Sequence, residues 1–224
     1  MQNKKSYVRQ VAAAVIALSL TVIGRGVEHQ IGFQPGVGPI MRAEVPFDTF
    51  ARTYRSQRAT QWCWAASIAN VFSYYGHPVS QEKIVQRLYG TTVNFPARSA
   101  MEIAALVNTE WVDDAGKRFR AVLTAAYDAY AGVNMMNNNY LINQLRQNRP
   151  ILMCNTHHCM VVTLVDYSPF QVMAVGVFDP WPIGPAAHSL PYPEAVALQL
   201  GGQMTFLGAV TITEVGIGRA ARSR

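Results

Sequence analysis

Residues 63–75, CWAASIANVFSYY, constrain the fold more than any other stretch of the chain. Trp64, Ala65, Ala66, Ile68, Ala69, Val71, Phe72, Tyr74 and Tyr75 leave almost no side of a helix polar. A helix that is apolar all round must be buried all round. Gly76 supplies its C-cap and Pro78 forbids continuation. The remaining chain must therefore provide enough elements to wrap this helix. Three more helices are legible before Pro150. One starts at Ser80, carries Ile84, Val85, Leu88 and Tyr89 on one face, and stops at Gly90. The next opens on a capping box, Ser99 with Glu102 three residues on, followed by Ile103, Ala104, Leu106 and Val107. The last is capped by Asn138 or Asn139, turns Leu141, Ile142 and Leu145 inward, and ends at Pro150.

After Pro150 the texture changes. ILMCN, CMVVTLVDY, QVMAVGVFD and GQMTFLGAVTIT are β-rich runs separated by turn-like breaks. Helices first and strands later predict an α+β fold. Half of the 224 residues are hydrophobic, enough for one domain with a sizeable core. That domain is expected over residues 52–214. Residues 25–51, with GFQPGVGPI, read as a Gly/Pro-rich linker or extended arm. Residues 215–224 read as a flexible basic tail.

The N-terminus has the pattern of an export signal. MQNKKSYVRQ is charged and residues 11–24 carry no charge. That stretch is shorter than the ~20 apolar residues of a spanning helix. It lacks an A-x-A cleavage site, so an uncleaved membrane anchor is the alternative to a signal peptide. An exported protein is expected, periplasmic or secreted, or, with the anchor retained, associated with the membrane through residues 11–24. The formal net charge is +6, but Lys4, Lys5 and Arg9 fall within residues 1–24, where there is no acid. The remainder is close to balance. It shows no basic helix face interleaved with aromatics, so no nucleic-acid partner is expected.

Three cysteines are present: Cys63, Cys154 and Cys159. In an oxidising compartment an odd count suggests one pair and one free thiol. Cys154 and Cys159 could bridge across a hairpin, which leaves Cys63 free. Cys63 opens the buried helix, where partial positive charge and unpaired N–H groups favour a thiolate. Most free cysteines are merely small buried hydrophobes, so Cys63 gains meaning only with a base. His157 and His158, in CNTHHCMVV, sit where a strand begins. Asp179, in VFDPWP, ends the following strand, and a hairpin over residues 159–178 brings it beside His158. Strand alternation would place His158, Met160 and Val162 on one face and His157, Cys159 and Val161 on the other. The bridge between Cys154 and Cys159 would then lie behind the catalytic strand. His29 falls in the arm, His77 is expected to be solvated after a helix stop, and His188 is a weaker alternative base.

CWAAS opening a central helix, HHCMVVTLVDY and DPWP together resemble the Cys, His and Asn/Asp segments of papain-like cysteine proteases. The likeness is greatest to the small bacterial branch with plant-pathogen effector proteases and bacteriocin-processing-like peptidases. GHPVSQEKIVQRLYG and LINQLRQNRPILM share that look, and the resemblance covers roughly residues 52–184. It implies a papain-like fold, no cofactor, no metal, and a protein or peptide substrate cleaved through a thioester. Cys63 is then the nucleophile, His158 the general base and Asp179 the group that orients it. Gln57, six residues before Cys63, takes the place of the family's oxyanion-hole glutamine, with Gln61 as its rival. The papain stretch C-G-[SA]-C-[WY] is absent. His158 follows Cys63 by 95 residues, against ~130–150 in papain itself, so the chain reads as a compact relative. A transglutaminase or deamidase on the same fold uses the same thioester. A catalytically inactive binding module is a further alternative. A zinc site from Cys154, His157, His158 and Cys159 is disfavoured, because neighbouring strand side chains diverge.

Overall fold

The computed structural model describes residues 26–215. The expected signal or anchor segment and nearly all of the basic tail lie outside the described residues. Among the described residues, no helix is long and apolar enough to cross a membrane.

The chain begins with a hairpin of β1 (Val27–Gln34) and β2 (Gly38–Glu44), followed by the short helix α1 (Phe47–Thr53). The sequence suggested a loose arm here. Instead β2 pairs antiparallel with a later strand, Arg42 grips Asp166 through two hydrogen bonds of 2.7 and 2.8 Å, and Ala43 is fully buried. The prolines and glycines mark the turn and the strand ends rather than a linker.

Next comes α2 (Cys63–Tyr74), in which every residue from Trp64 to Phe72 is buried. Gly76, at φ 85°, carries the chain out of it. In α3 (Gln81–Tyr89), Ser80 accepts from the Lys83 N–H and Gly90 closes the helix in the left-handed region. In α4 (Ala100–Leu106), Ser99 accepts from the Glu102 N–H. The Glu102 carboxylate reaches back to the Arg98 N–H rather than to that of Ser99, so the capping box is displaced by one residue.

The strands then accumulate: β3 (Glu110–Val112), β4 (Arg118–Asp128) and β5 (Val133–Asn134). The sequence reading did not single out β4, whose Ala-rich second half has little strand character. Asn137, one residue before the expected caps, accepts from the Tyr140 N–H and starts α5 (Asn138–Arg146). Then follow β6 (Ile151–Asn155), β7 (Cys159–Tyr167), β8 (Val172–Phe178), β9 (Ala187–Ser189) and α6 (Tyr192–Ala195). A 3-10 turn over Leu198–Leu200 leads into β10 (Met204–Glu214).

The sheet is antiparallel, in the order β1-β2-β7-β6-β10-β4-β3, with β5 beside β4 and β8 joining β7 to β9. On one edge of β7, β6 pairs with Cys159–Val162 and β2 with Leu164–Tyr167, so the two lie end to end. The pairing with β8 slips at Thr163, whose carbonyl accepts from the Val45 N–H at 2.8 Å. Helix α2 packs on β6 and β7 and is flanked by α1 and α3. With helices against an antiparallel sheet, the chain is α+β.

His77 departs from its expected solvated state. It is buried, stacked on Phe119, and hydrogen-bonded through Nδ1 to Asp113 and through Nε2 to Glu214, both at 3.1 Å. The residue after the helix stop turns inward because β4 and the end of β10 close over it.

Candidate active site

Cys63 is the first residue of α2, and the helix has no side-chain cap at Trp62. The first N–H groups of a helix lack intrahelical partners, so unpaired donors and partial positive charge surround the thiol. Two tryptophans fix the entry to the helix. The Trp62 indole N–H donates to the Val93 carbonyl at 2.7 Å and that of Trp64 to the Phe95 carbonyl at 3.2 Å. Cys63 is half-buried and is the free cysteine, since Cys154 and Cys159 form a disulfide.

That disulfide joins residues paired directly across the β6–β7 hairpin. It leaves no thiolate at Cys154 or Cys159 for a metal. It also lies on the cleft side, lining the same cavity as Cys63 and His158, not behind the strand as alternation suggested. The reason is that His158 precedes β7 and belongs to the turn. The turn is organised by Asn155, whose side-chain oxygen accepts from the His157 and His158 N–H groups at 2.8 and 2.7 Å. Its amide donates to Glu194 at 2.9 Å, and its backbone N–H donates to the His158 carbonyl.

The His158 ring is half-buried, and its Nε2 lies 2.5 Å from Asp179 Oδ1. Nδ1 is thus the ring nitrogen left to face the thiol. Burial works against the imidazolium, but hydrogen bonds to Asp179 and Cys63 and the charges of both outweigh it, raising the His158 pKa to about 9. Burial likewise pushes the Asp179 carboxyl up. The His158 hydrogen bond, the Trp181 N–H and the charges of His158 and His188 hold it below the usual range. His157 is exposed at the turn and lines the cavity without reaching Asp179. His29 is exposed on β1, and His188 lies on β9, outside the cavity.

Asp179 is held by Tyr54, which the sequence did not single out, and by Trp181, whose place beside a His–Asp pair the DPWP stretch suggests. The Tyr54 hydroxyl donates to its carbonyl at 2.7 Å, and the Trp181 N–H donates to its Oδ1 at 2.7 Å. The Trp181 ring stands edge-on to His158 at 6.3 Å. The segment before α2 also grips Pro180, through a 2.7 Å bond from the Gln57 N–H. The Gln57 side chain is buried, and its amide donates to the Ala59 and Thr60 carbonyls at 3.0 and 3.1 Å. Its Oε1 has no partner among the described residues. The Gln61 side chain is exposed. Two of the signals are local: an Asn at a strand end and an Asp before a proline are both frequent turn builders.

A cavity of about 480 Å³ opens beside Cys63, walled by residues 96–101, by the Asp128–Ala131 turn and by the turn that carries His158. The cleft brings together a helix-borne thiol, an imidazole in the turn before β7 and a carboxylate bonded to that imidazole, the set of groups that a papain-like cysteine protease, a hydrolase, uses. Residues 51–198 match the model of the Peptidase_C39 like family, and the chain belongs to that family.

Two solved structures are similar at low identity. One is a double glycine motif protease from an AMS/PCAT transporter in complex with the leader peptide. It is 17% identical over 77% of this chain and 94% of that one, with a TM-score of 0.41. The other is the peptidase domain of Streptococcus ComA, a bi-functional ABC transporter involved in a quorum sensing pathway. It is 15% identical over 72% of this chain and 97% of that one, with a TM-score of 0.42. No curated protein matches the chain.

Proposed function

We propose that the protein cleaves peptide bonds with Cys63 as nucleophile, His158 as general base and acid, and Asp179 as the group that orients the imidazole. The observation that carries this is the 2.5 Å contact between His158 and Asp179, with Cys63 near enough to help hold the His158 proton. With the His158 pKa at about 9, the ring is an imidazolium at neutral pH. A Cys63 thiolate attacks the scissile carbonyl carbon. The oxyanion meets the unpaired N–H of Cys63 and the amide of Gln57, which exchanges one of its carbonyl partners for the substrate oxygen. His158 gives its proton to the leaving nitrogen, and a thioester remains on Cys63. His158, now neutral, takes a proton from water, which attacks the thioester and releases the acid and the Cys63 thiolate, restoring the starting pair.

The substrate is a peptide or protein, and the pattern of residues 1–24 supports export from the cytoplasm, with or without a retained anchor. The test is labelling of the full chain with an epoxide inhibitor of cysteine proteases, followed by mapping. Modification of Cys63, and loss of both labelling and fluorogenic peptide cleavage in Cys63→Ala, is the expected result. A Cys63→Ala protein that still turns over peptide refutes the assignment.

A further inference from the structure

The floor of the cleft is a single row of residues in register across four strands. Asp128 on β4 pairs with Phe206 on β10, Phe206 with Cys154 on β6, and Cys154 with Cys159 on β7. Directly opposed residues of antiparallel strands present their side chains to the same face, and all four line the cavity. His158 stands at one end of the row and Asp128 at the other. Three strand spacings of about 4.8 Å separate the ends, roughly 14 Å in all.

Asp128 is only 6% exposed. Its Oδ1 accepts from the Tyr130 and Ala131 N–H groups at 2.9 and 3.0 Å. Its other oxygen takes no hydrogen bond among the described residues, and no Lys, Arg or His among them forms an ion pair with Asp128. A buried carboxylate without a counter-charge is costly unless something supplies one. Of the cations lining the same cavity, Arg98 is bonded to Glu102 at 2.5 Å and through Nε at 2.7 Å, and His158 is bonded to Asp179. Beside Asp128, Tyr130 is 74% exposed and lines the cavity mouth, where its ring face can take a cation.

Resting on the peptidase reading above, we propose that this end of the cleft is a subsite for a cationic side chain of the substrate, lysine or arginine, with Asp128 as its counter-charge and Tyr130 against its stem. An extended peptide advances about 3.4 Å per residue. A long cationic side chain about two or three residues from the scissile bond therefore reaches Asp128. Capping the 128–131 turn needs only one side-chain oxygen, which asparagine supplies equally well. The charge is what the turn does not require.

The experiment compares N-acetylated fluorogenic peptides carrying arginine or its neutral isostere citrulline at each position flanking the cleaved bond. At one position the wild-type kcat/KM ratio of arginine to citrulline is expected to be about 10- to 100-fold. It should fall toward one in Asp128→Asn and shrink with added salt in the wild type. A ratio near one at every position, or one unchanged in Asp128→Asn, overturns the subsite. If no peptide is cleaved, the same pairs are titrated calorimetrically against full-length Cys63→Ala. Tighter binding of the arginine peptide that is lost in Cys63→Ala/Asp128→Asn upholds the subsite, and equal binding refutes it. Epoxide labelling of Cys63, read separately, shows whether the peptidase reading itself has failed.

Discussion

At the scale of single residues, the pairing of His158 with Asp179 sets the expected pH behaviour. The raised pKa of about 9 means the His158 proton is present at neutral pH and lost above about 9. Peptidase kcat/KM should therefore fall on the alkaline side near pH 9. In Asp179→Asn one of the groups holding that proton loses its charge, so the alkaline limb should move to lower pH. An unmoved limb would mean that Asp179 does not govern the ring. His158→Ala should abolish acylation almost entirely, because the thiol loses the group that takes its proton and later gives one to the leaving nitrogen. His157→Ala should cost far less, its ring being exposed and away from Asp179. The rate of Cys63 alkylation against pH in the two variants separates them.

Gln57 is a second residue-scale case. Loss of an oxyanion donor costs about 10²–10³ in turnover, so Gln57→Ala should lower kcat with little change in KM. A comparable loss in Gln61→Ala, with Gln57→Ala silent, would move the role to the exposed Gln61. The 2.7 Å bond from Gln57 to Pro180 uses the backbone and survives either substitution.

At the scale of elements, the β6–β7 turn decides where His158 points. Asn155 accepts from two successive N–H groups in it and ties it to α6 through Glu194. Asn155→Ala would leave both donors without their acceptor, at about 1–3 kcal/mol each where water does not replace it. A misplacement of about 1 Å can cost ~10² in rate. The expected outcome is a large loss of kcat in a protein that still melts cooperatively. Wild-type kcat would show that the disulfide alone positions the turn. Helix α2 is the complementary element. Its burial from Trp64 to Phe72 fixes the thiol end against the sheet, and the two indole bonds set how the chain enters it.

For the whole molecule, the β1–β2 hairpin is the sharpest test of how the sheet is assembled. Ala43 is fully buried where β2 meets β7. Burying a carboxylate there costs several kcal/mol, so Ala43→Asp should lower Tm by about 10 °C or more. A loose arm would tolerate the change with no shift in Tm. His77 closes the opposite end by joining the turn at Asp113 to the end of β10 at Glu214.

The sequence by itself determined the features that rest on near neighbours. Ser80, Ser99 and Gly90 mark helix ends through bonds spanning three or four residues. The all-apolar run after Cys63 forces burial, and Cys154 and Cys159 are close enough to pair across a hairpin. The runs after Pro150 declare themselves as strands by composition. The tertiary structure alone decided what depends on distant partners. Residues 27–44 become strands because β7 offers an unpaired edge, and the Ala-rich end of β4 because β10 lies alongside. His77 turns inward because Asp113 and Glu214 meet it there. Asp128 enters the cleft only through a register running over Phe206 and Cys154 to Cys159. The slip at Thr163 and the turn before β7 break the alternation on which a face assignment depends. Side-chain direction in a sheet has a period of two, so one displaced residue reverses it, and that displacement is set by pairing between segments far apart in the chain.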